Sequence, residues 1–228
     1  MLSTIIVAAG SSQRMGFDKL FAKLGDKTVV GHTLAAFDRT GSVGEIIVVG
    51  RDDRLTELQE IVRRDQLVKV RHIAPGGVHR QDSVQCGLNL VDAAATHVAV
   101  HDAARPLITP EQIERVLAAC RTHGAATLAE PVTDTIKRSD VDGFVAGGVD
   151  RAQLYAMQTP QIFERDLLIR AYAAVAKEQF RITDEVSAVE RLGAKVFLVP
   201  NEGVNIKITY PRDLGLAQLY LGRLATGS

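Results

Sequence analysis

A chain of 228 residues suits one α/β domain and hides roughly 70% or more of its unfolded surface on folding. Of these residues 46% are hydrophobic and none is tryptophan, so the core must come mainly from Val, Ile, Leu and Ala, the filling of buried parallel strands. Lys+Arg and Asp+Glu balance at 27 each, which excludes the basic excess of a protein that coats nucleic acid or an anionic membrane.

The chain runs at once into strand-like sequence at residues 4–9, with no charged leader before it. Further strands are expected at 45–50, 68–73, 97–101, 125–131 and 195–200. Amphipathic helices lie between them. Residues 54–64 place Leu55, Leu58, Ile61 and Val62 at helical spacing, and residues 112–120 do so with Ile113, Val116 and Leu117. Strand–helix alternation of this kind implies an α/β fold with a doubly wound, mostly parallel sheet, here one domain over 1–228. No apolar run approaches the roughly 20 residues that span a bilayer. Cys86 and Cys120 show no CxxC spacing, so a reducing, cytoplasmic setting is expected.

Residues of about 132–160 break the rhythm. Two short strand-like runs flank a turn at Asp142-Gly143, the pattern of a projecting β-hairpin. Such an arm either meets another subunit or folds over its own pocket.

Ligands of open parallel sheets bind beyond the carboxyl ends of the strands, so the loops there carry the functional reading. The first, Ala8-Ala9-Gly10-Ser11-Ser12-Gln13-Arg14-Met15-Gly16-Phe17-Asp18-Lys19, combines small residues that let backbone amides approach phosphate with two cations, Arg14 and Lys19. It lacks the Gly-Lys-Ser/Thr of a P-loop and the GxGxxG of dinucleotide binders. A second loop, Gly76-Gly77-Val78-His79-Arg80-Gln81-Asp82-Ser83, offers a glycine turn and the Ser83 hydroxyl for a base edge. The null alternative is a helix start capped by Asp82 or Ser83. A third places Asp102 and Arg105 after the fourth strand, where Asp102 would lie near Mg²⁺ or a substrate hydroxyl and Arg105 would suit a phosphate.

The first loop resembles the AAGxxxRMGxxK signature of doubly wound nucleotidyltransferases. HDAARP (101–106), DTIK (134–137), VDR (149–151), TPQ (159–161), TDE (183–185) and NIK (205–207) narrow that resemblance, over nearly the whole chain, to the 2-C-methyl-D-erythritol 4-phosphate cytidylyltransferases. The resemblance implies transfer of cytidylyl from CTP to a small polyol phosphate with Mg²⁺, and a homodimer formed through the β-arm. Arg14 and Lys19 match residues that stabilise the transition state. Arg151 and Lys207 match those that position the attacking phosphate. Ala8, Ala9, Gly10, Gly77 and Ser83 match the CTP site, and Asp102, Arg105, Thr135 and Thr183 match the acceptor pocket, with Asp102 also the candidate metal ligand. The family often has proline where Asp18 stands, a polar residue at Val78 and proline at Val7. A dianionic phosphate acceptor needs no general base, in keeping with six histidines that show no ligand or catalytic spacing. Ribitol-5-phosphate cytidylyltransferase and a catalytically silent nucleotide-binding regulator are the competing readings; a molybdopterin nucleotidyltransferase leaves HDAARP, DTIK and NIK unexplained.

Overall fold

The structure, a computed structural model, describes residues 1–10 and 15–226. Strand β1 (Leu2–Ala8) is followed by the two-residue strands β2 (Lys23–Leu24) and β3 (Lys27–Thr28), which form a small hairpin that leads into helix α1 (Val29–Arg39). Then come β4 (Val43–Gly50), α2 (Leu55–Arg64), β5 (Val70–Pro75), α3 (Arg80–Leu88), β6 (His97–Asp102), α4 (Pro110–His123) and β7 (Ala125–Pro131). A two-stranded hairpin, β8 (Ile136–Ser139) and β9 (Val145–Val149), interrupts the alternation before β10 (Tyr155–Glu164), α5 (Arg165–Lys177), α6 (Glu185–Glu190), β11 (Phe197–Pro200) and α7 (Pro211–Thr226).

Seven strands form one sheet in the order β11-β7-β10-β6-β1-β4-β5. Every pairing is parallel except those of β10, which runs antiparallel to both β6 and β7. The six strands read from sequence are all present. β10 was not among them, because Thr159-Pro160 and the polar Gln158 and Gln161 interrupt its apolar pattern. Proline is tolerated there because the ladder to β7 breaks between Met157 and Gln161. Side chains satisfy the carbonyls freed by the break: Thr127 Oγ1 donates to Gln158 O at 3.2 Å and Asn205 Nδ2 to Thr159 O at 2.9 Å.

Alternation along the central strands divides the core. In β1, Leu2, Ile6 and Ala8 face α1, α2, α4 and α7, while Ile5 and Val7 face α3, α5 and α6; in β4, Ile46 and Val48 oppose Ile47 and Val49 likewise. Helices on both faces make the sheet doubly wound and bury Ile5, Ile6, Ile46, Ile47, Val98 and Val100 of its central strands completely. Local signals set the helix ends. Thr28 Oγ1 accepts from Gly31 N at 3.1 Å to start α1, and Thr109 and Gln112 exchange bonds in a capping box before Pro110 of α4. Gly124 ends α4 at φ 81°, a left-handed geometry that favours glycine.

The hairpin is shorter than the expected arm. Its strands lie within 136–149, whereas residues 155–160 belong to the central sheet through Tyr155↔Pro131 and Met157↔Ala129. Asp140 Oδ1 accepts from Asp142 N at 3.1 Å and Phe144 N at 2.8 Å, and Gly143 takes φ 90°, so an Asx-type turn closes it. Val141, Phe144 and Val145 on this arm stand exposed.

Candidate active site

At the carboxyl ends of β1 and β6 the chain encloses a cavity of about 570 Å³. Ala9, Gly10, Met15 and Lys19 of the first loop form one wall. Gly77, Val78, His79, Arg80 and Ser83 form another, and Asp102 and Lys207 close the floor. The first two walls nearly touch: a Cβ on Gly76 would lie 2.6 Å from Ala9 Cβ and 2.6 Å from Ser83 Oγ. Only a glycine lets the backbones approach so closely.

The cations at this cavity are held by named partners. Asp102 has a side chain only 12% exposed and receives Lys207 Nζ at 2.7 Å on Oδ2 and Arg80 at 3.4 Å on Oδ1, with Arg105 Nε 3.9 Å away. Burial alone would raise its pKa, but Lys207, Arg80 and Arg105 together hold it well below the usual carboxylate range. Arg80 also forks onto the fully buried Glu185 at 2.7 and 2.9 Å. Burial works against its charge, yet Glu185 and Asp102 outweigh that and leave it more firmly protonated than an arginine in water. Tyr172 OH donates to Glu185 Oε1 at 2.9 Å. Burial, then the neighbouring carboxylate, push the phenol pKa up and keep it a donor.

Lys19 Nζ donates to Ile208 O at 2.6 Å, which ties the first loop to the segment that carries Lys207. Lys19, Arg80 and Lys207 line this cavity with Asp102 among them, so cations outnumber carboxylates in the lining. Such a surface suits a polyphosphate whose negative charge grows during reaction.

Not every residue singled out from sequence meets the cavity. Arg14 lies outside the described residues. Ala9, Gly10, Lys19, Gly77, Ser83, Asp102 and Lys207 are brought together around it, but Ala8 is the buried last residue of β1 and Val7 takes its place in the lining. Arg105 is 9% exposed and donates to Asn205 O at 2.7 Å. Thr135 and Arg151 sit at the base of the arm, exposed and absent from the lining; Arg151 donates to Thr133 O. Thr183 borders a separate, shallower groove beside α6. Ser83 Oγ accepts from Gly77 N at 3.2 Å and donates to His79 O at 3.2 Å, so here it fastens the glycine turn, while Asp82 caps the helix through His79 N at 2.9 Å.

The candidate metal role of Asp102 fits this donor set poorly. Both of its oxygens already serve cations, and among the described residues no group of three His, Cys, Asp or Glu could hold an ion. His101, beside it in sequence, is structural. It is fully buried, its Nδ1 lies 3.1 Å from Thr159 Oγ1, and that hydroxyl accepts from Asp102 N at 3.1 Å. The Arg105 carbonyl, 3.4 Å from Nε2, can only accept, which puts the ring proton on Nε2 and leaves Nδ1 to accept from the Thr159 hydroxyl. Burial lowers its pKa to about 3 and keeps it neutral.

Residues 2–223 match the sequence family described as 2-C-methyl-D-erythritol 4-phosphate cytidylyltransferase. The chain belongs to that family. A cytidylyltransferase of that name from Caldanaerobacter subterraneus subsp. tengcongensis is 41% identical over 223 residues, covering 96% of this chain and 98% of its own. One from Pelotomaculum thermopropionicum is 39% identical over 98% and 97%. Among solved structures, the 4-diphosphocytidyl-2C-methyl-D-erythritol synthase of Anaerococcus prevotii superposes with TM-score 0.85 at 32% identity, covering 97% of this chain and 96% of that one. The Thermus thermophilus cytidylyltransferase does so with TM-score 0.78 at 30%, over 96% and 98%.

Within this cytidylyltransferase fold, Arg80, Glu185 and Asn205 stand in segments singled out from sequence, the Gly-Gly loop, TDE and NIK, but were given no role there. Arg80 stands in the first turn of α3, where a cation opposes the helix dipole. That misplacement was a legible signal that an anion holds it. Glu185 stood within the TDE motif, but a carboxylate in the first turn of α6 is ordinary, and only its complete burial marks it out as the partner of Arg80. Asn205 bonds Gln158 Oε1 at 3.0 Å and Thr159 O at 2.9 Å, a contact set that no local pattern encodes.

Proposed function

We propose that this cavity transfers the cytidylyl group of CTP to 2-C-methyl-D-erythritol 4-phosphate, giving 4-diphosphocytidyl-2-C-methyl-D-erythritol and pyrophosphate in non-mevalonate isoprenoid synthesis. The chain is a nucleotidyltransferase, and the observation that carries the reading is the meeting of Lys19, Arg80 and Lys207 around a glycine-walled cavity at the carboxyl end of the sheet. A non-bridging oxygen of the acceptor phosphate attacks the α-phosphorus. The bond from that phosphorus to the bridging oxygen breaks, and pyrophosphate leaves with the electron pair. The acceptor is already dianionic near neutral pH, so no residue has to remove a proton. What the chain must supply is alignment of two polyanions and positive charge where negative charge accumulates. Lys19 and Lys207 face the cavity for that purpose, and Arg14 is assigned to the same task from its motif. Asp102 orients Lys207 and Arg80. Mg²⁺ is read as arriving on the triphosphate as part of the substrate, since no cluster of carboxylates, His or Cys among the described residues offers it a cage.

The acceptor side is read as composite. Thr135 and Arg151, matched to acceptor handling, lie on an arm that exposes Val141, Phe144 and Val145, which is costly in water unless covered. A homodimer in which each arm covers a partner and carries Thr135 and Arg151 to its cavity accounts for both facts. Both cysteines are free thiols and, among the described residues, no helix is long and apolar enough to cross a membrane. A cytoplasmic enzyme accords with this.

Pyrophosphate release with CTP, Mg²⁺ and either 2-C-methyl-D-erythritol 4-phosphate or ribitol 5-phosphate tests the assignment. Turnover with the first alone supports it. Preference for the second overturns the acceptor, and CTP binding without turnover on either would make the chain a nucleotide-binding regulator.

A further inference from the structure

Next to Lys19 the chain carries a carboxylate, Asp18, which at first sight works against the site. An anion one residue from a cation that must face a triphosphate can neutralise it. The structure directs this carboxylate elsewhere. Its side chain is only 12% exposed, and Oδ2 lies 3.3 Å from Arg51 NH1 and 3.5 Å from Arg54 Nε. Both arginines stand at the short turn that follows β4, and neither lines the cavity. Oδ1 meanwhile accepts from Leu20 N at 3.3 Å, and the backbone closes two successive turns, Phe21 N to Asp18 O and Ala22 N to Lys19 O, each at 3.3 Å. Arg54 further lies over the Phe21 ring at 5.4 Å. One side chain thus fastens the Lys19 turn to the strand end behind it.

We propose that Asp18, clamped by Arg51 and Arg54, is a positioning residue for the transfer: it sets where Lys19 presents its ammonium, and the two arginines keep the carboxylate from neutralising that ammonium. This rests on the nucleotidyl-transfer reading of the cavity. The clamp is also built so that its loss leaves the fold intact. Arg51 keeps Asp53 at 2.9 Å and Arg54 keeps Glu57 at 2.6 Å, so removing the Asp18 charge strands no buried cation.

The two halves of the clamp have different consequences, and that makes the idea testable. In D18N the turn loosens but no anion is released. In R51Q/R54Q the turn loosens and Asp18 is released beside Lys19. A misplacement of the order of 1 Å costs up to about 10²-fold in rate. On that scale D18N should lower kcat for pyrophosphate release about 3- to 10-fold with the CTP KM within about 2-fold. R51Q/R54Q should lose about 30-fold or more, and adding D18N to it should return kcat to the D18N level. A purely structural role predicts the reverse order, with the triple variant the worst. A triple variant at or below R51Q/R54Q, or D18N with the wild-type kcat, overturns the proposal. If the wild-type chain itself is silent, the reaction is refuted and the clamp is read instead from amide hydrogen exchange across residues 15–24. Faster exchange in D18N than in wild type upholds it, and equal exchange overturns it.

Discussion

Replacing Glu185 by glutamine removes one charge and almost no volume, yet it takes away the partner on which Arg80 depends. Glu185 is fully buried, receives two guanidinium bonds at 2.7 and 2.9 Å, and takes the Tyr172 hydroxyl at 2.9 Å. Breaking a buried ion pair from one side costs about 3–5 kcal/mol, because the remaining charge is left uncompensated. Here the Arg80 side chain is 27% exposed and keeps Asp102 at 3.4 Å, and the glutamine oxygen still accepts one bond. A cost at or just below the bottom of that range is therefore expected, about 2–3 kcal/mol. For a domain of this size that is a fall of roughly 4–12 °C in Tm. Arg80 would then lean on Asp102 and compete there with Lys207, so kcat should fall further than the unfolded fraction explains. Urea unfolding gives the first quantity and pyrophosphate release at saturating CTP the second. E185Q within about 0.5 kcal/mol of wild type, with undiminished kcat, would refute the claim that this carboxylate organises the cations of the floor.

Lys19→Ala should lower kcat by about 10²-fold, on the scale of one lost oxyanion donor, and near-native kcat measured by pyrophosphate release would remove it from the mechanism. Arg151→Ala should raise the KM for the acceptor and spare CTP binding. Mixing R151A with K19A subunits should restore part of the activity if the site is composite, since some heterodimers then hold one intact site; no recovery after subunit exchange would place Arg151 outside it. His101 bears on acid stability: its folded pKa lies near 3, below the ordinary histidine value, so between about pH 6.5 and 3 the unfolded chain binds a proton that the folded chain refuses, and stability falls as pH falls. Wild type should lose about 1.4 kcal/mol per pH unit there relative to His101→Gln, and parallel stability curves would contradict the burial argument.

What sequence by itself determined was local or periodic. The apolar runs at 4–9 and 45–50 are nearly continuous and became β1 and β4, because a buried strand needs nothing beyond side chains that fit both faces of a sheet. The glycine-rich first loop, the Gly-Gly turn and the cation Lys19 were likewise legible, since backbone approach and full charge are properties of single residues, whereas Lys207 came from the resemblance of its NIK motif alone. β10 escaped, because polar residues interrupt its pattern and the carbonyls freed at its proline are satisfied by Thr127 and Asn205, which are distant in sequence. The same reason left Arg80 and Glu185 without a role, and it left open what Asp18 does where the family often has proline. Only tertiary structure could bring residues 18, 51 and 54 to one point, or 80, 102, 185 and 207 to another. A charge's chemistry is written in its residue type, but the partner that orients it is chosen by how the sheet is wound.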